Sequence, residues 1–220
     1  MKEKILIAGG GCISEYLQEN LKRRYEVILV SRSSGDFKGD LSDQSFVEKL
    51  TKQTGLVDNV ICCVGGPQEN DRIDNLGMNF FSTFENNLYA PLNLTRFYLP
   101  EMKKKNKGCF IYMSSNLTSC IRTPKNYLGY TLAKTSLEKM TDILSTNEVD
   151  TGVRFNCMIL GFLRTKKYEK KMTNQDLIKR TGNIGGYVDL EQVYKMTNFI
   201  LENKTITGLK ARLDNGNCHS

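Results

Sequence analysis

Histidine is nearly absent from this sequence: the 220 residues contain one, His219, next to the final serine. Zinc sites and Ser-His-Asp triads both depend on imidazole groups, so this composition argues against either kind of centre. The seven cysteines include the neighbours Cys62 and Cys63 but form no Cys-x-x-Cys pair. We therefore expect no metal site, and we expect reduced thiols in a cytoplasmic protein.

Long apolar runs are missing too, and none approaches the ~20 residues that a membrane-spanning helix needs. The start, Met1-Lys2-Glu3-Lys4, leads into only a short apolar run, so we expect no signal peptide. The sequence also lacks internal repeats, low-complexity tracts and interdomain linkers. Since hydrophobic residues make up 40% of the chain, they suffice for one core. We expect a single domain over residues 1–220 without a membrane partner.

The formal net charge of +7 invites the idea of a nucleic-acid ligand. Part of the excess comes from Lys103-Lys104-Lys105, Lys166-Lys167 and Lys170-Lys171. The first group lies between a predicted helix and a predicted strand, where lysine favours the carboxyl end of the helix. Solubility and helix-end charge are the favoured explanation, and an acidic ligand or a nucleic acid is the alternative. Because basic charge alone specifies no partner, we expect no nucleic acid.

Apolar runs with the length of buried strands alternate with amphipathic helical stretches. This alternation predicts an α/β fold, a doubly wound parallel sheet of about seven strands with helices on both faces. The predicted strands are Lys4–Ala8, Glu26–Val30, Phe37–Lys38, Asn59–Val64, Cys109–Met113, Val153–Ile159 and Leu209–Asp214. The predicted helices are Ile13–Arg24, Asp43–Thr54 with Ser42 as N-cap, Phe80–Lys105 with interruptions at Pro91 and Pro100, Tyr127–Asn147, Tyr168–Lys179 and Asp189–Glu202.

Three glycines, Gly9-Gly10-Gly11, follow the first predicted strand and precede a helix. A dinucleotide pyrophosphate rests at this position in doubly wound sheets, and glycine there permits a tight turn and a close approach of the backbone. The later small positions are Cys12 and Ser14 instead of glycine. A plain strand-to-helix turn is therefore the alternative.

The second predicted strand ends at Ser31-Arg32, without an acidic residue for a ribose diol. An arginine there can meet the 2′-phosphate of NADP, with Ser31 and Ser33 as hydroxyl donors. A solvated loop is the alternative for Arg32. Further along, Asp40 in Gly39-Asp40-Leu41 is placed to accept a hydrogen bond from an adenine amine, although an exposed loop aspartate is equally ordinary.

The stretch from Ser114 to Lys134 carries the strongest chemical signal. Ser114 and Ser115 end the apolar run that begins at Cys109, and Tyr130 precedes Lys134 by four residues on a predicted helix. Residues four apart lie on one face of a helix, one turn from each other. A strand-end hydroxyl beside a Tyr/Lys pair is suited to proton transfer, whereas a bare Tyr-x-x-x-Lys also occurs by chance on ordinary helices.

Together these residues resemble the short-chain dehydrogenase/reductase family over nearly the whole chain. Each motif is weak singly, but their order and spacing make the set strong. The matching motifs are the glycine turn, Asp40, Asn87-Leu88-Tyr89-Ala90-Pro91, Ser115, the Tyr130/Lys134 pair, Asn156–Thr165 with Leu160 in place of the family's proline, and Ile206-Thr207-Gly208 followed by Asp214-Asn215-Gly216.

The resemblance implies a Rossmann-type NAD(P)-binding domain that transfers hydride between a nicotinamide and a small-molecule carbonyl or alcohol. NADPH is the preferred cofactor and NAD is possible. The implied catalytic residues are Asn87, Ser115, Tyr130 and Lys134. The implied cofactor contacts are Gly9, Gly11, Cys12, Ile13, Ser31, Arg32, Asp40, Leu41, Gly65, Tyr130, Lys134, Gly161, Leu163 and Thr165, the last three beside the carboxamide.

The resemblance also implies a role for each catalytic residue. Tyr130 is the acid that protonates the developing alkoxide, or the base in the reverse direction. A free tyrosine has a pKa near ~10, and the cation of Lys134 favours its phenolate. Lys134 also holds ribose hydroxyls, Ser115 donates to the carbonyl oxygen, and Asn87 holds a water that links Lys134 to solvent.

The chain departs from the family pattern at several places. The glycine motif is one residue short, and the family's Asn-Asn-Ala-Gly is replaced by Cys62-Cys63-Val64-Gly65. Ser31 to Lys38 is too short for the usual crossover helix, so we expect that helix to be missing and the adenine pocket to be more open. The spacing from Ser115 to Tyr130 is slightly long, which leaves Ser114 as a second candidate.

Residues 166–187 correspond to the family's substrate lid, and Gly182, Gly185 and Gly186 suit a hinge for it. Its lysines are explained by an acidic substrate or, more simply, by a solvated lid. The helices Phe80–Lys105 and Tyr127–Asn147 match those that form dimers or tetramers in the family, so we expect a homo-oligomer.

Two other functions stay open at this point. One is a non-catalytic relative that binds a nucleotide or a protein partner, which the altered glycine and Asn-Asn-Ala-Gly motifs favour. The other is an epimerase or dehydratase that uses the same cofactor and tyrosine. The retained Asn87, Ser115, Tyr130 and Lys134 favour the reductase over a non-catalytic protein, because helix packing alone does not require that set.

Overall fold

A computed structural model describes residues 2–68, 71–74, 77–119, 126–165, 170, 172–181 and 185–216. Seven strands form one sheet in the order β3-β2-β1-β4-β5-β6-β7, and every adjacent pair is parallel. This arrangement confirms the predicted doubly wound sheet. The strands are β1 (Lys4–Ala8), β2 (Glu26–Ser31), β3 (Phe37–Lys38), β4 (Asn59–Cys62), β5 (Gly108–Ser115), β6 (Val153–Leu160) and β7 (Lys210–Leu213).

Helices cover both faces of the sheet. They are α1 (Cys12–Leu21), α2 (Gln44–Thr54), α3 (Met78–Phe84), α4 (Ala90–Lys104), α5 (Leu128–Asn147), α6 (Asn174–Thr181) and α7 (Leu190–Glu202). Side chains alternate along β5, so Phe110 and Tyr112 join the core beneath α2, α4 and α5, while Ile111 and Met113 join the core beneath α1 and α7. Burial on both faces explains why β5 and β6 are such continuous apolar runs.

The predicted helix Phe80–Lys105 is helical throughout, but its irregularity lies elsewhere than predicted. A π-helical turn at Glu85–Tyr89 separates α3 from α4. Pro91 is the second residue of α4, directly after the π turn, and Pro100 is accommodated inside α4. The predicted interruptions at the two prolines are therefore wrong. Asn87, which is fully buried, lies in the middle of this π turn.

The crossover from β2 to β3 contains only residues 32–36 and no helix, as expected from its length. The chain turns back at once, and the Asp36 N–H donates to Leu29 O at 2.8 Å. Gly35 has a φ of +95°, and a Cβ there would lie 2.5 Å from Leu29 O. Only glycine fits such a turn, and the stub β3 pairs with β2 directly.

Two other boundaries differ from the sequence-based expectation. The N-cap of α2 is Asp43, whose Oδ1 accepts from the Ser45 N–H at 2.8 Å, so the prediction of Ser42 is wrong by one residue. A carboxylate binds the positive end of a helix more strongly than a hydroxyl does. The predicted polar helix Tyr168–Lys179 appears as α6, and 168, 169 and 171 lie outside the described residues.

Candidate active site

A cleft runs along the carboxyl ends of the central strands and consists of two adjoining cavities. The first, about 470 Å³, lies over the start of α1 and reaches Arg32 and Asp40. The second, about 330 Å³, lies over Tyr130 and Lys134 on α5. Residues 63–67 line both cavities, so the cleft is continuous. Ligands of doubly wound sheets bind at this edge, where the strand order reverses between β1 and β4.

The glycine turn forms the floor of the first cavity. Gly9 has a φ of +133°, and a Cβ there would lie 3.0 Å from the backbone of Cys63. A Cβ on Gly10 would lie 2.9 Å from Ser31 Oγ, whereas one on Gly11 would meet nothing within 4 Å. The turn is therefore tightly packed beneath and open above Gly11, as close contact with a pyrophosphate requires.

The first turn of α1 is fastened by its own serine. Ser14 is fully buried, and its hydroxyl donates to Gly11 O at 2.7 Å and accepts from the Gly11 N–H at 3.0 Å. This reciprocal capping closes the shortened glycine turn. Cys12 and Ile13 follow Gly11 and line the second cavity.

The residues after β2 divide into a structural part and an exposed part. The Ser31 hydroxyl donates to Ser34 O at 2.7 Å, and the Ser34 N–H donates to it at 2.9 Å. Ser31 lines the first cavity, and in this structure its hydroxyl is engaged in the turn after β2. Arg32 and Ser33 are exposed and line the first cavity.

Asp40 and Leu41 lie at the far end of the first cavity. Asp40 Oδ1 accepts from both the N–H and the hydroxyl of Ser42 at 2.8 Å, which fixes the loop. The side chain of Asn93, a buried residue of α4, donates to Leu41 O at 3.1 Å and to Ser42 O at 2.8 Å. Sequence reasoning did not single out Asn93, although it holds the proposed adenine loop against the domain core.

Tyr130 and Lys134 meet in the second cavity, one turn apart on α5. Lys134 is 4% exposed, and its Nζ donates to Met113 O at 2.8 Å and to Val64 O at 3.3 Å. The Nζ atom lies 5.9 Å from the centre of the Tyr130 ring. Burial lowers the pKa of Lys134 to about 8, so the group still carries most of its charge at neutral pH.

Three thiols surround this lysine without acting as counter-ions. Burial raises the pKa of Cys63 and of Cys157 to about 12, and it raises the pKa of Cys62 further. The thiols are therefore neutral at any physiological pH. The ammonium group of Lys134 is held by two backbone carbonyls, and its charge is directed toward Tyr130 and the cleft.

The two serines at the end of β5 have different surroundings. The Ser114 hydroxyl donates to Glu138 Oε1 on α5 at 2.5 Å. The Ser115 Oγ accepts from the Leu117 N–H at 3.4 Å, and its proton is not used by that contact. Both residues border the second cavity. Because the Ser114 proton is engaged by a carboxylate, the geometry favours Ser115 as the hydroxyl donor.

Asn87 faces the loop after β4 from the π-helical turn. Its side-chain amide donates to Thr83 O at 2.9 Å and to Gly66 O at 3.1 Å. Its Oδ1 is buried and has no hydrogen-bond partner among the described residues. Gly65 has a φ of +99°, and a Cβ there would lie 2.1 Å from that oxygen. The Oδ1 atom is thus an unsatisfied acceptor close to the cleft, as a water-binding asparagine requires.

Another wall of the second cavity is formed by the end of β6 and the segment after it, through Leu160, Gly161, Phe162, Leu163 and Thr165. Gly161 is required by packing, because a Cβ there would lie 2.8 Å from the Cα of Asp214. Leu163 forms a parallel bridge with Val188, so the segment that leaves the cleft is tied to the segment that returns.

The predicted lid, residues 166–187, is described only in part, since 166–169, 171 and 182–184, and with them Gly182, lie outside the described residues. Its returning end is fastened rather than loose. The side chain of Asn215 donates to Gly186 O at 3.2 Å, and the Tyr187 N–H donates to Asn174 Oδ1 at 3.2 Å. Gly186 itself has a φ of +70°. Gly185 and Gly186 therefore form a fixed turn in this structure.

Asp71 is a further residue that the sequence did not reveal. It is completely buried, and its carboxylate accepts from the N–H groups of Gly129 and Tyr130 at the start of α5.

The described residues contain no cluster of metal-ligating side chains. No helix in the described ranges combines the length and the apolar character that crossing a bilayer requires.

The residues present fit a dinucleotide. A glycine turn lies at one end, packed so closely on Cys63 and Ser31 that Gly9 and Gly10 leave no room for a side chain, and the exposed guanidinium of Arg32 lies beside it. A buried cation and an unsatisfied amide oxygen lie at the other end.

Comparisons with known proteins agree with this geometry. A family model described as enoyl-(acyl carrier protein) reductase matches residues 12–217. The 3-oxoacyl-[acyl-carrier-protein] reductase of Bos taurus is 23% identical over 213 residues, which cover 89% of this chain and 88% of that protein. The dehydrogenase/reductase SDR family member 6 of Aquarana catesbeiana is 23% identical over 60% of this chain and 54% of its own length. This match, like that to oxidoreductase UcpA of Salmonella typhimurium, spans about half of the relative.

Solved structures show the same fold. A short-chain type dehydrogenase/reductase from Mycobacterium ulcerans superposes with a TM-score of 0.86 at 18% identity, over 98% of this chain and 90% of that one. ElxO with NADP bound superposes with a TM-score of 0.84 at 21% identity, over 99% of both chains. With the family match over residues 12–217, these findings show that the chain belongs to the short-chain dehydrogenase/reductase family of NAD(P)-dependent oxidoreductases.

Proposed function

We propose that this protein is an NADPH-preferring reductase of a small-molecule carbonyl compound, or oxidises the matching alcohol in reverse. One observation carries the proposal. The buried Lys134 lies beneath Tyr130 and close to Ser115, in a cleft continuous with the glycine turn and Arg32. Charge, hydroxyl donors and a dinucleotide-sized groove thus meet in one place.

NADPH supplies the hydride when it is bound, and this chain's residues hold it. The 2′-phosphate would meet Arg32 and Ser33 after β2, where no carboxylate competes for a ribose diol. The pyrophosphate would rest over Gly9 to Gly11 and the start of α1. The remaining proposed contacts are Cys12, Ile13, Asp40, Leu41, Gly65, Tyr130, Lys134, Gly161, Leu163 and Thr165. NAD is the weaker candidate because it has no 2′-phosphate for Arg32 to bind.

In the proposed reaction Tyr130 donates its phenol proton to the oxygen of the carbonyl group as negative charge develops on it. Lys134 favours the phenolate that remains, because its ammonium group is close and shielded from water. Ser115 donates a hydrogen bond to the same oxygen. The Oδ1 atom of Asn87 accepts from a water that returns a proton toward Lys134.

The substrate class is suggested by one relative. The bovine protein that matches over 88% of its length is named a 3-oxoacyl-[acyl-carrier-protein] reductase. A 3-oxoacyl thioester, with acetoacetyl-CoA as the simplest soluble example, is therefore the first carbonyl probe to use. The lysines of the lid are compatible with an acidic substrate of this kind.

We also propose a cytoplasmic homodimer or homotetramer. Exposed apolar side chains lie on the helices that the family uses for association: Phe81, Tyr89, Leu92, Leu132 and Ile143. The five described cysteines are free thiols, as in a reducing compartment. Sedimentation equilibrium decides the assembly, and a monomer at micromolar concentration would contradict it.

The deciding experiment is a titration with NADPH and with NADH, followed by the emission of the ten tyrosines in a chain without tryptophan. We expect micromolar binding of NADPH, weaker binding of NADH, and a loss of the preference in Arg32→Ala. Arg23→Ala is the matched control, because Arg23 is exposed and lies outside the cleft. Absence of binding to both cofactors at millimolar concentration refutes the reductase and leaves a non-catalytic relative.

A further inference from the structure

Asp71 connects the loop after β4 to the helix that carries Tyr130. The residue is completely buried and accepts three hydrogen bonds from consecutive backbone N–H groups of α5. Leu128 donates to the main-chain oxygen at 3.0 Å, Gly129 to Oδ1 at 2.9 Å, and Tyr130 to Oδ2 at 2.7 Å. Tyr130 is therefore held through its own amide.

The first turn of an α-helix has N–H groups without partners inside the helix, and they need acceptors from elsewhere. In α5 the N-cap residue Tyr127 makes no side-chain cap, and its carbonyl accepts only from the Thr131 N–H. Asp71 supplies the acceptors for the three residues between them. Its negative charge also lies at the positive end of the helix dipole.

Gly129 lets the carboxylate come this close. A Cβ on Gly129 would lie 2.8 Å from Asp71 Oδ1 and 2.8 Å from the Phe80 ring. Two features hold the carboxylate of Asp71 against the backbone of α5. The helix has no side chain at the contact, and the backbone of Asp71 forms a parallel bridge with Tyr127. The two carboxylate hydrogen bonds join residues that are 58 and 59 positions apart in the sequence.

We propose that Asp71 is a positioning residue for the reaction, an inference that rests on the proposed reductase function. Its two carboxylate oxygens fix the rotation of the first turn of α5. They thereby fix the direction in which Tyr130 projects toward Ser115 and above Lys134. An amide cannot replace the carboxylate, because its NH₂ group would face one of the two N–H donors.

The test compares Asp71→Asn with Asp43→Asn, since Asp43 caps α2 and lines neither cavity of the cleft. Three quantities are measured: the Kd for NADPH, the kcat for acetoacetyl-CoA, and the resonance of Tyr130 in protein labelled with [ζ-¹³C]tyrosine. Tyr130→Phe assigns that resonance. In Asp71→Asn we expect kcat to fall on the order of 10- to 100-fold, the Tyr130 resonance to move, and the Kd for NADPH to stay within about twofold, because the glycine turn is untouched.

Asp43→Asn should leave all three quantities unchanged. A folded Asp71→Asn with an unmoved Tyr130 resonance overturns the proposal, and so does an unchanged kcat. If Asp71→Asn does not fold, Gly129→Ala displaces the same carboxylate and is judged by the same criteria. If the wild-type protein reduces no carbonyl compound, the proposed function fails, while the Tyr130 resonance still decides whether Asp71 positions that side chain.

Discussion

Two helices begin at the cleft, α1 and α5, and their first turns are completed in opposite ways. The start of α1 is closed locally, by a serine three residues along that bonds only Gly11. The start of α5 is closed from a distance, by Asp71, which takes three successive N–H groups. The start of α1 keeps N–H groups that can bind an anion. At the start of α5, the N–H groups already bind the carboxylate of Asp71.

The difference follows from what each end must do. A helix that binds phosphate needs unpaired amides and a backbone without side chains, which the glycine turn and its light capping provide. A helix that carries an acid needs a fixed side chain, and a bound carboxylate provides that. In the proposed complex the dipole of α1 favours a bound phosphate, whereas the dipole of α5 favours the protein's own Asp71.

The largest change in rate is expected when the proposed acid on α5 is removed. Tyr130→Phe should lower the kcat for acetoacetyl-CoA by about 10² to 10⁴-fold and weaken NADPH binding far less, because the proposed phosphate contacts lie at the α1 end and only one proposed contact is lost. The rate is followed by NADPH absorbance. Tyr194→Phe on α7 is the control and should retain full activity; a comparable loss there, or none in Tyr130→Phe, contradicts the assignment.

The glycine turn at the α1 end should tolerate no side chain beneath it. Gly9→Ala forces a φ of +133° and a Cβ 3.0 Å from the Cys63 backbone, so we expect a loss of about 2–3 kcal/mol in the free energy of unfolding and about tenfold weaker NADPH binding, or about 1.4 kcal/mol. Gly55→Ala, at a φ of +62° in open space, is the matched control. It should be less destabilised and bind NADPH normally. Equal effects in the two variants would contradict the close contact.

The buried charge at the α5 end should make stability depend on pH. The folded pKa of Lys134, about 8, lies below its ordinary value of 10.5. The unfolded chain therefore binds more protons between these values, and stability rises with pH across that window. Relative to Lys134→Met, the wild-type protein should gain about 2 kcal/mol in the free energy of unfolding between pH 7 and pH 10. Urea unfolding measures it, and a constant difference would contradict the burial of the charge.

The smallest effect is expected at the cap of α1. Ser14→Ala should lower the free energy of unfolding by about 1 kcal/mol and change the Kd for NADPH by less than about threefold, since it releases one amide without moving the glycines. Thermal unfolding and the tyrosine titration measure both. A large loss of binding in Ser14→Ala would show that the cap itself shapes the phosphate site.

Much of the fold follows from local patterns in the sequence. Strands buried on both faces read as apolar runs, and the short stretch from Ser31 to Lys38 predicted the missing helix, because chain length alone limits what fits there. Ser42 and Asp43 both suit the N-cap of α2 by residue type, and only the fold determines that the carboxylate of Asp43 meets the Ser45 N–H.

The parts of the site that escaped prediction depend on contacts distant in sequence. Choosing between Ser114 and Ser115 requires knowing that Glu138 faces Ser114 from 24 residues away. Asp71 lies in a polar loop without periodicity, and its partners are on α5, 58 and 59 residues away. Neither the hydrogen bonds of Ser31 nor those of Asn93 leave a pattern in the chain.

The short crossover between β2 and β3 also limits how the protein can associate. An edge strand with free N–H and C=O groups is a template for the strands of another molecule and for aggregation. Here that edge is two residues long, and exposed charges stand on and beside it: Asp36, Lys38 and Asp40. A longer β3 would expose more unpaired backbone N–H and C=O groups at this edge of the sheet. The truncation thus keeps this side of the sheet from growing.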